Sequence, residues 1–220
     1  ESCLNQNGGH KYEVLLIDDG STDDSLDIAR LYIDKGLQVI ERNNAGIEIA
    51  SNTVFEMAKG EFVVRVDADD YLHPDYLLNM IPMFDLKFSF IYPDYMIVDQ
   101  NDNRLGEMKL PNFKLNEVLT RGDFLATGTI YRKDAIKQYG YYNTETKNCG
   151  LENYELIVKM VKDGLLGRHI RKSLFCYRRH GGNISITKKG VIKNYGESFF
   201  QSIGLPKYGI NKYHPYLSEL

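Results

Sequence analysis

Residues 12–21 read Tyr-Glu-Val-Leu-Leu-Ile-Asp-Asp-Gly-Ser, an apolar run that stops abruptly at two carboxylates, a glycine and a hydroxyl. A buried run closed in this way predicts a parallel strand emptying into a loop. Outward from it, residues 21–36 carry helical periodicity, with Ser21 or Thr22 as N-cap and Gly36 as stop. Residues 37–42, LQVIER, predict a second strand, and residues 47–60, IEIASNTVFEMAKG, a second helix closed by Gly60. Residues 61–70, EFVVRVDADD, predict a third strand that again ends in carboxylates. Strand, helix, strand, helix, strand predicts an α/β fold, with a mostly parallel sheet flanked by crossover helices.

Beyond Asp70 the alternation loosens. Residues 73–84 predict a helix with Pro74 in its first turn. Residues 88–109 predict a hairpin turning near Asn101–Asn103. Residues 124–140 predict a strand and then a helix, residues 152–164 an amphipathic helix stopped by Gly164, and residues 169–180 a strand. From about Ser185 the chain is polar and rich in Lys and Tyr, with some helical signal. Neither a repeat nor a low-complexity linker divides the 220 residues, so one domain with a C-terminal extension is expected.

Composition narrows the partners. A formal net charge of −3 gives no basic footprint for nucleic acid. No apolar run approaches the roughly 20 residues that span a bilayer, and no secretory signal is present. The three cysteines, Cys3, Cys149 and Cys176, are odd in number and not closely paired, which suits a reducing compartment such as the cytoplasm. The 16 tyrosines suit wet clefts and sugar surfaces, and equally suit half-buried packing.

Four clusters carry candidate chemistry. Asp18-Asp19-Gly20-Ser21 sits at a strand's carboxyl end, where open parallel sheets bind ligands; its carboxylates can accept hydrogen bonds from a ribose or base, or simply cap the next helix. Asp67-Ala68-Asp69-Asp70 packs three carboxylates into four residues, which suits an oxygen-ligated magnesium or manganese ion gripping a diphosphate, or else a solvated acidic loop. Glu152, at a helix start, offers either a general base or a complement to the helix dipole. Tyr177-Arg178-Arg179-His180-Gly181-Gly182 offers cations and an imidazole beside a backbone that ligands can approach, or an exposed surface loop.

In this order, the stretches LLIDDGSTDDS, ERNNAGIEIASNTVFEMAKGEFVVRVDADDYLHPDYL, GTIYRKDAIKQYG, GLENYELIVKMVKDG and YRRHGGNIS resemble glycosyltransferase family 2, over residues 2–186. The resemblance implies a GT-A, Rossmann-like fold over residues 1–185, with residues 186–220 as the extension. It implies inverting transfer of a sugar from a nucleoside-diphosphate sugar, with UDP favoured, to a hydroxyl of a glycan or lipid-linked acceptor. A divalent cation, Mn2+ or Mg2+, and peripheral membrane association in bacterial polysaccharide synthesis come with it. By position, Asp18, Asp19 and Asp67 would contact the nucleotide, while Asp69, Asp70 and His180 would hold the metal.

Glu152 and Asn153 match the family's acidic pair and are the implied catalytic positions. Only Glu152 can accept a proton, so it is the expected base. The chain departs from the family at Asn153, where an aspartate is usual, and at Ser51, where an arginine is usual. An apolar strand that the family carries first is expected upstream of Glu1. A nucleotidyltransferase is a rival enzyme, although its usual Gly-rich basic loop is not seen. The alternative of another class is a catalytically silent sugar-nucleotide or glycan-binding module.

Overall fold

A computed structural model describes residues 1–125, 127–205 and 208. The expected alternation is present at the start. Strand β1, Val14–Asp18, leads through helix α1, Ser25–Arg30, to strand β2, Leu37–Glu41, and β1 and β2 pair in parallel. Helix α2, Ile47–Met57, then leads to β3, Phe62–Val64. Helix α1 begins three residues later than the Ser21 cap predicts, because Asp18 takes the Ser21 amide into a turn and Asp23 takes that of Ser25. It ends at Arg30, and Gly36, with φ of 96°, closes the 3-10 turn Ile33–Lys35 that follows.

The rest of the chain builds a mixed six-stranded sheet in the order β3-β7-β5-β8-β4, with β6 beside β5. Its members are β4, Tyr71–Leu72; β5, Phe88–Val98; β6, Arg104–Met108; β7, Ile130–Arg132; and β8, Leu166–Arg178. The parallel β5–β8 pair is its axis, while β3–β7, β4–β8, β5–β6 and β5–β7 are antiparallel. Among the described residues β3 pairs with β7, not with β1 or β2, so the β1–β2 pair is a separate sheet. The β5–β6 hairpin turns where expected: Asp99 Oδ1 accepts the amides of Asn101 and Asn103.

Helices α3, Tyr76–Met80; α4, Leu115–Arg121; α5, Lys133–Gln138; α6, Glu152–Lys162; α7, Ile184–Thr187; and α8, Lys189–Ser202 are the further α-helices among the described residues. The 124–140 segment is strand only from Ile130, and α4 is a helix the sequence reading did not separate. Tyr154, Leu156, Ile157, Val158, Met160 and Val161 of α6 are all buried. At roughly 1.5–3 kcal/mol per large apolar side chain, that burial anchors the helix whose first turn carries Glu152. Phe199 and Phe200 of α8 are buried in the same core, with Phe200 stacked on Tyr154 at 6.2 Å. The expected helical signal beyond 205 falls mostly outside the described residues.

Candidate functional site

The antiparallel β4–β8 pairing explains how two distant motifs meet. Tyr71 lies opposite Cys176, so the carboxylates just before β4 come beside the residues just after Cys176. Asp70 Oδ1 accepts the Arg178 amide at 2.9 Å, and the Arg178 side chain donates to the Asp69 carbonyl at 2.8 Å. His180 Nε2 lies 2.9 Å from Asp69 Oδ2, while His180 Nδ1 accepts the Gly182 amide at 3.1 Å. That second bond places the imidazole proton on Nε2, where it points at Asp69.

Asp69 and His180 would ligate a cation together once that proton moves to Nδ1 and frees the Nε2 lone pair. Asp70 keeps one oxygen sealed from solvent and without a partner, but among the described residues Asp69, Asp70 and His180 do not meet within 4.8 Å as a set. Carboxylate oxygens suit Mg2+ or Mn2+, and an imidazole suits a transition ion. Asp67 is turned elsewhere: it pairs with Arg65 at 2.9 Å and accepts the Thr127 hydroxyl at 2.7 Å.

Arg65, on the segment leaving β3, is the residue that sequence reading passed over. Its guanidinium bridges Asp67 and Glu152, reaching Glu152 Oε1 at 2.8 Å. Burial works against its charge, but Asp67, Tyr142 and Glu152 outweigh burial and hold it protonated. Glu152 is 5% exposed, and its second oxygen has no partner. Asn153 has no such freedom. Its oxygen accepts from the Tyr131 and Tyr142 hydroxyls at 2.6 and 3.1 Å, and its amide donates to the Leu125 carbonyl at 2.7 Å. Glu155 is likewise engaged, by Lys159 at 2.5 Å and by the Tyr195 hydroxyl.

The first acidic cluster holds a loop. Asp19 pairs with Arg42 at 3.2 Å and accepts the amides of Ala45 and Gly46. Gly20 has φ of 84°, and a Cβ there would meet the Asn44 amide at 2.9 Å, so only glycine lets this turn close. The next amide, Ile47, faces Asn148 Oδ1 at 3.4 Å, and Glu48 Oε1 accepts the Cys149 amide at 3.2 Å. Contacts therefore run from Asp19 through the start of α2 to Cys149 and Glu152, then through Arg65 to Asp67. Asp18 is 8% exposed and spans the Ser21 turn.

Asp123, also unremarked in the sequence, lies near Glu152 with one oxygen sealed and unpaired. Burial, and then the Glu152 charge, push its carboxyl up to about 8. Burial pushes Asp70 up to about 7 against the Arg178 amide, with Asp69 and Asp67 adding to the rise. Both values lie above the ordinary 3.8 that the unfolded chain would show. The folded state therefore binds more protons, and this stabilisation is full below about pH 4 and is lost as pH rises through 7 and 8. In chelator, thermal stability should fall by on the order of a few kcal/mol between about pH 5 and pH 9. Asp123→Asn should flatten the profile; an unchanged slope would show that burial does not act on this carboxyl.

The loop that leads into α6 is constrained. Asn148 and Gly150 have φ of 52° and 73°, and a Cβ on Gly150 would meet Ile184 at 3.0 Å and Ile192 at 3.1 Å. Gly150→Ala should cost roughly 1–3 kcal/mol, read as a lower Tm. It should also lower kcat, because Glu152 starts two residues further on.

A family model described as Glycosyl transferase family 2 matches residues 1–140, which cover Asp18, Asp19 and the 67–70 cluster but not Glu152 or His180. A chondroitin synthase of Escherichia coli is 30% identical over 97% of this chain, and the chain spans 31% of that relative's length. Staphylococcus aureus TarS, solved with UDP-GlcNAc, superposes over 91% of the chain and 67% of its own, with TM-score 0.68 and 18% identity. The mannosyltransferase PcManGT of Pyrobaculum calidifontis, solved with GDP-Man and Mn2+, covers 89% and 56%, with TM-score 0.65 and 18% identity. At such identities the two structures speak for the fold, which is GT-A.

Proposed function

Because this chain belongs to glycosyl transferase family 2, we propose that it transfers a sugar, with inversion, from a nucleoside-diphosphate sugar to an acceptor hydroxyl during glycan assembly. The observation that carries the reading is the Arg65 bridge, which ties Asp67 on the donor side to Glu152, an acid with one free oxygen. Glu152 accepts the acceptor's hydroxyl proton as the oxygen attacks the anomeric carbon. The diphosphate leaves from the opposite face, which inverts that carbon. Arg65 orients Glu152; Asp67, with Asp18 and Asp19, holds the nucleoside. Asp69, Asp70 and His180 would hold Mn2+ or Mg2+, whose charge neutralises the leaving diphosphate. Positioning and charge stabilisation supply most of the acceleration in such displacements.

A UDP-sugar is the favoured donor, as TarS has been solved with UDP-GlcNAc, and a glycan or lipid-linked alcohol is the acceptor class. Among the described residues no helix is long and apolar enough to cross a membrane, so contact with a lipid-linked acceptor at the cytoplasmic face would be peripheral. Asn153 and Ser51 are the departures that support a silent binding module; the three hydrogen bonds of Asn153 suit a packing role for it. The test is nucleoside-diphosphate release from a panel of sugar nucleotides with Mn2+. Release above background, abolished by chelator, is the expected result. Tight binding without release for every donor would leave the binding-module reading in its place.

A further inference from the structure

Glu48, Cys149 and Glu152 form a second constellation beside the site. One carboxylate oxygen from each glutamate and the Cys149 sulfur lie within 4.8 Å of one another, and all three residues are buried. Among the described residues this is the set of three candidate ligands that meets so closely; the carboxylates of 67–70 do not. Glu48 is 0% exposed, and both it and Glu152 keep one oxygen that is sealed from solvent and has no hydrogen-bond partner. Two buried carboxylates with orphaned oxygens are costly without a cation or shared proton. The nearby cation, Arg65, already serves Asp67 and the other oxygen of Glu152.

We propose that Glu48, Cys149 and Glu152 bind a thiophilic divalent cation such as Zn2+, at a site separate from the Asp69–His180 pair. The donor set decides the ion: one thiolate and two carboxylates suit Zn2+ or Co2+, whereas the carboxylates of 67–70 by themselves suit Mg2+ or Mn2+. Bonds of about 2.0–2.3 Å require donors somewhat closer than 4.8 Å, a change that side-chain torsions accommodate. On binding, the Cys149 thiol gives its proton to solvent and the sulfur bonds the metal. The left-handed backbone at Asn148 and Gly150 presents the thiol from a tight, fixed turn. Because the third ligand is Glu152, occupancy withdraws the base from the acceptor, so Zn2+ inhibits transfer. This inhibitory consequence rests on the reading of Glu152 as base; the site itself does not.

The test is titration of the full chain with Co2+ under excess Mg2+. A near-ultraviolet sulfur-to-cobalt charge-transfer band at one equivalent is expected. Cys149→Ser should abolish it, and Glu48→Gln should weaken Co2+ binding at least about tenfold. Unchanged thermal unfolding of both variants in chelator controls for folding. Under the same excess Mg2+, Zn2+ should inhibit transfer, and Cys149→Ser should raise the inhibitory concentration at least about tenfold. No band with folded protein, or a band that survives Cys149→Ser, overturns the site. A band that forms while Zn2+ leaves transfer untouched overturns the inhibitory role and, with it, Glu152 as base.

Discussion

Glu152→Gln should lower kcat by about 10²–10⁴ while donor and metal binding stay within a few-fold of the parent, because loss of a general base acts on the chemical step. Glutamine keeps the size of the side chain and an oxygen for Arg65, so the Asp67–Arg65 pair survives. The structure adds a companion result. Asn153→Asp should lower stability by about 1–3 kcal/mol, because a carboxylate oxygen would replace the amide that donates to the Leu125 carbonyl. It should not rescue Glu152→Gln. Isothermal donor binding, initial rates and thermal unfolding of the three variants check this. Activity restored by Asn153→Asp would assign the base to position 153.

Asp69→Asn should abolish metal-dependent donor binding. The loss should exceed the roughly 10–100-fold that losing even an outer partner of a metal ligand costs. In chelator its stability should match or slightly exceed that of the parent. Asparagine still accepts from His180 Nε2, and removing one charge relieves the repulsion that helps hold Asp70 at about 7. Donor titrations with and without Mn2+, read beside Tm in EDTA, separate the two effects. Donor binding that keeps its Mn2+ dependence in Asp69→Asn would remove Asp69 from the metal site.

The parts of this molecule legible in the sequence were those written in periodicity and punctuation. The runs ending in Asp18-Asp19 and in Asp67-Asp69-Asp70, the stop at Gly36 and the Asp99–Asn103 turn each depend on neighbours in the chain. The Glu155–Lys159 pair, four residues apart on one helix, depends on chain neighbours in the same way. Arg65 was not, because in FVVRV it reads as an ordinary strand residue; its meaning comes from Glu152, 87 residues away. Glu48 and Asp123 share that fate: Glu48 takes its meaning from Cys149, 101 residues away, and Asp123 from Glu152. The late start of α1 was missed because Ser21 is a good cap in isolation but gives its amide to Asp18. The mixed sheet was missed because β3, at three residues, pairs backwards with β7, and no local pattern encodes that choice.

Among the described residues, the separation of β1–β2 from the six-stranded sheet bears on how this 220-residue chain opens locally. Ten described residues in two short strands share a hydrogen-bonded ladder with each other, whereas β5 and β8 run 11 and 13 residues through the core. Amides of 14–18 and 37–41 should therefore exchange with deuterium through a local opening, well before those of β5 and β8, which await global unfolding. Asp18 and Asp19 sit at the end of the weaker unit. A nucleotide captured there would quench that opening, so part of the donor's apparent affinity would be spent on ordering the strand pair that receives it.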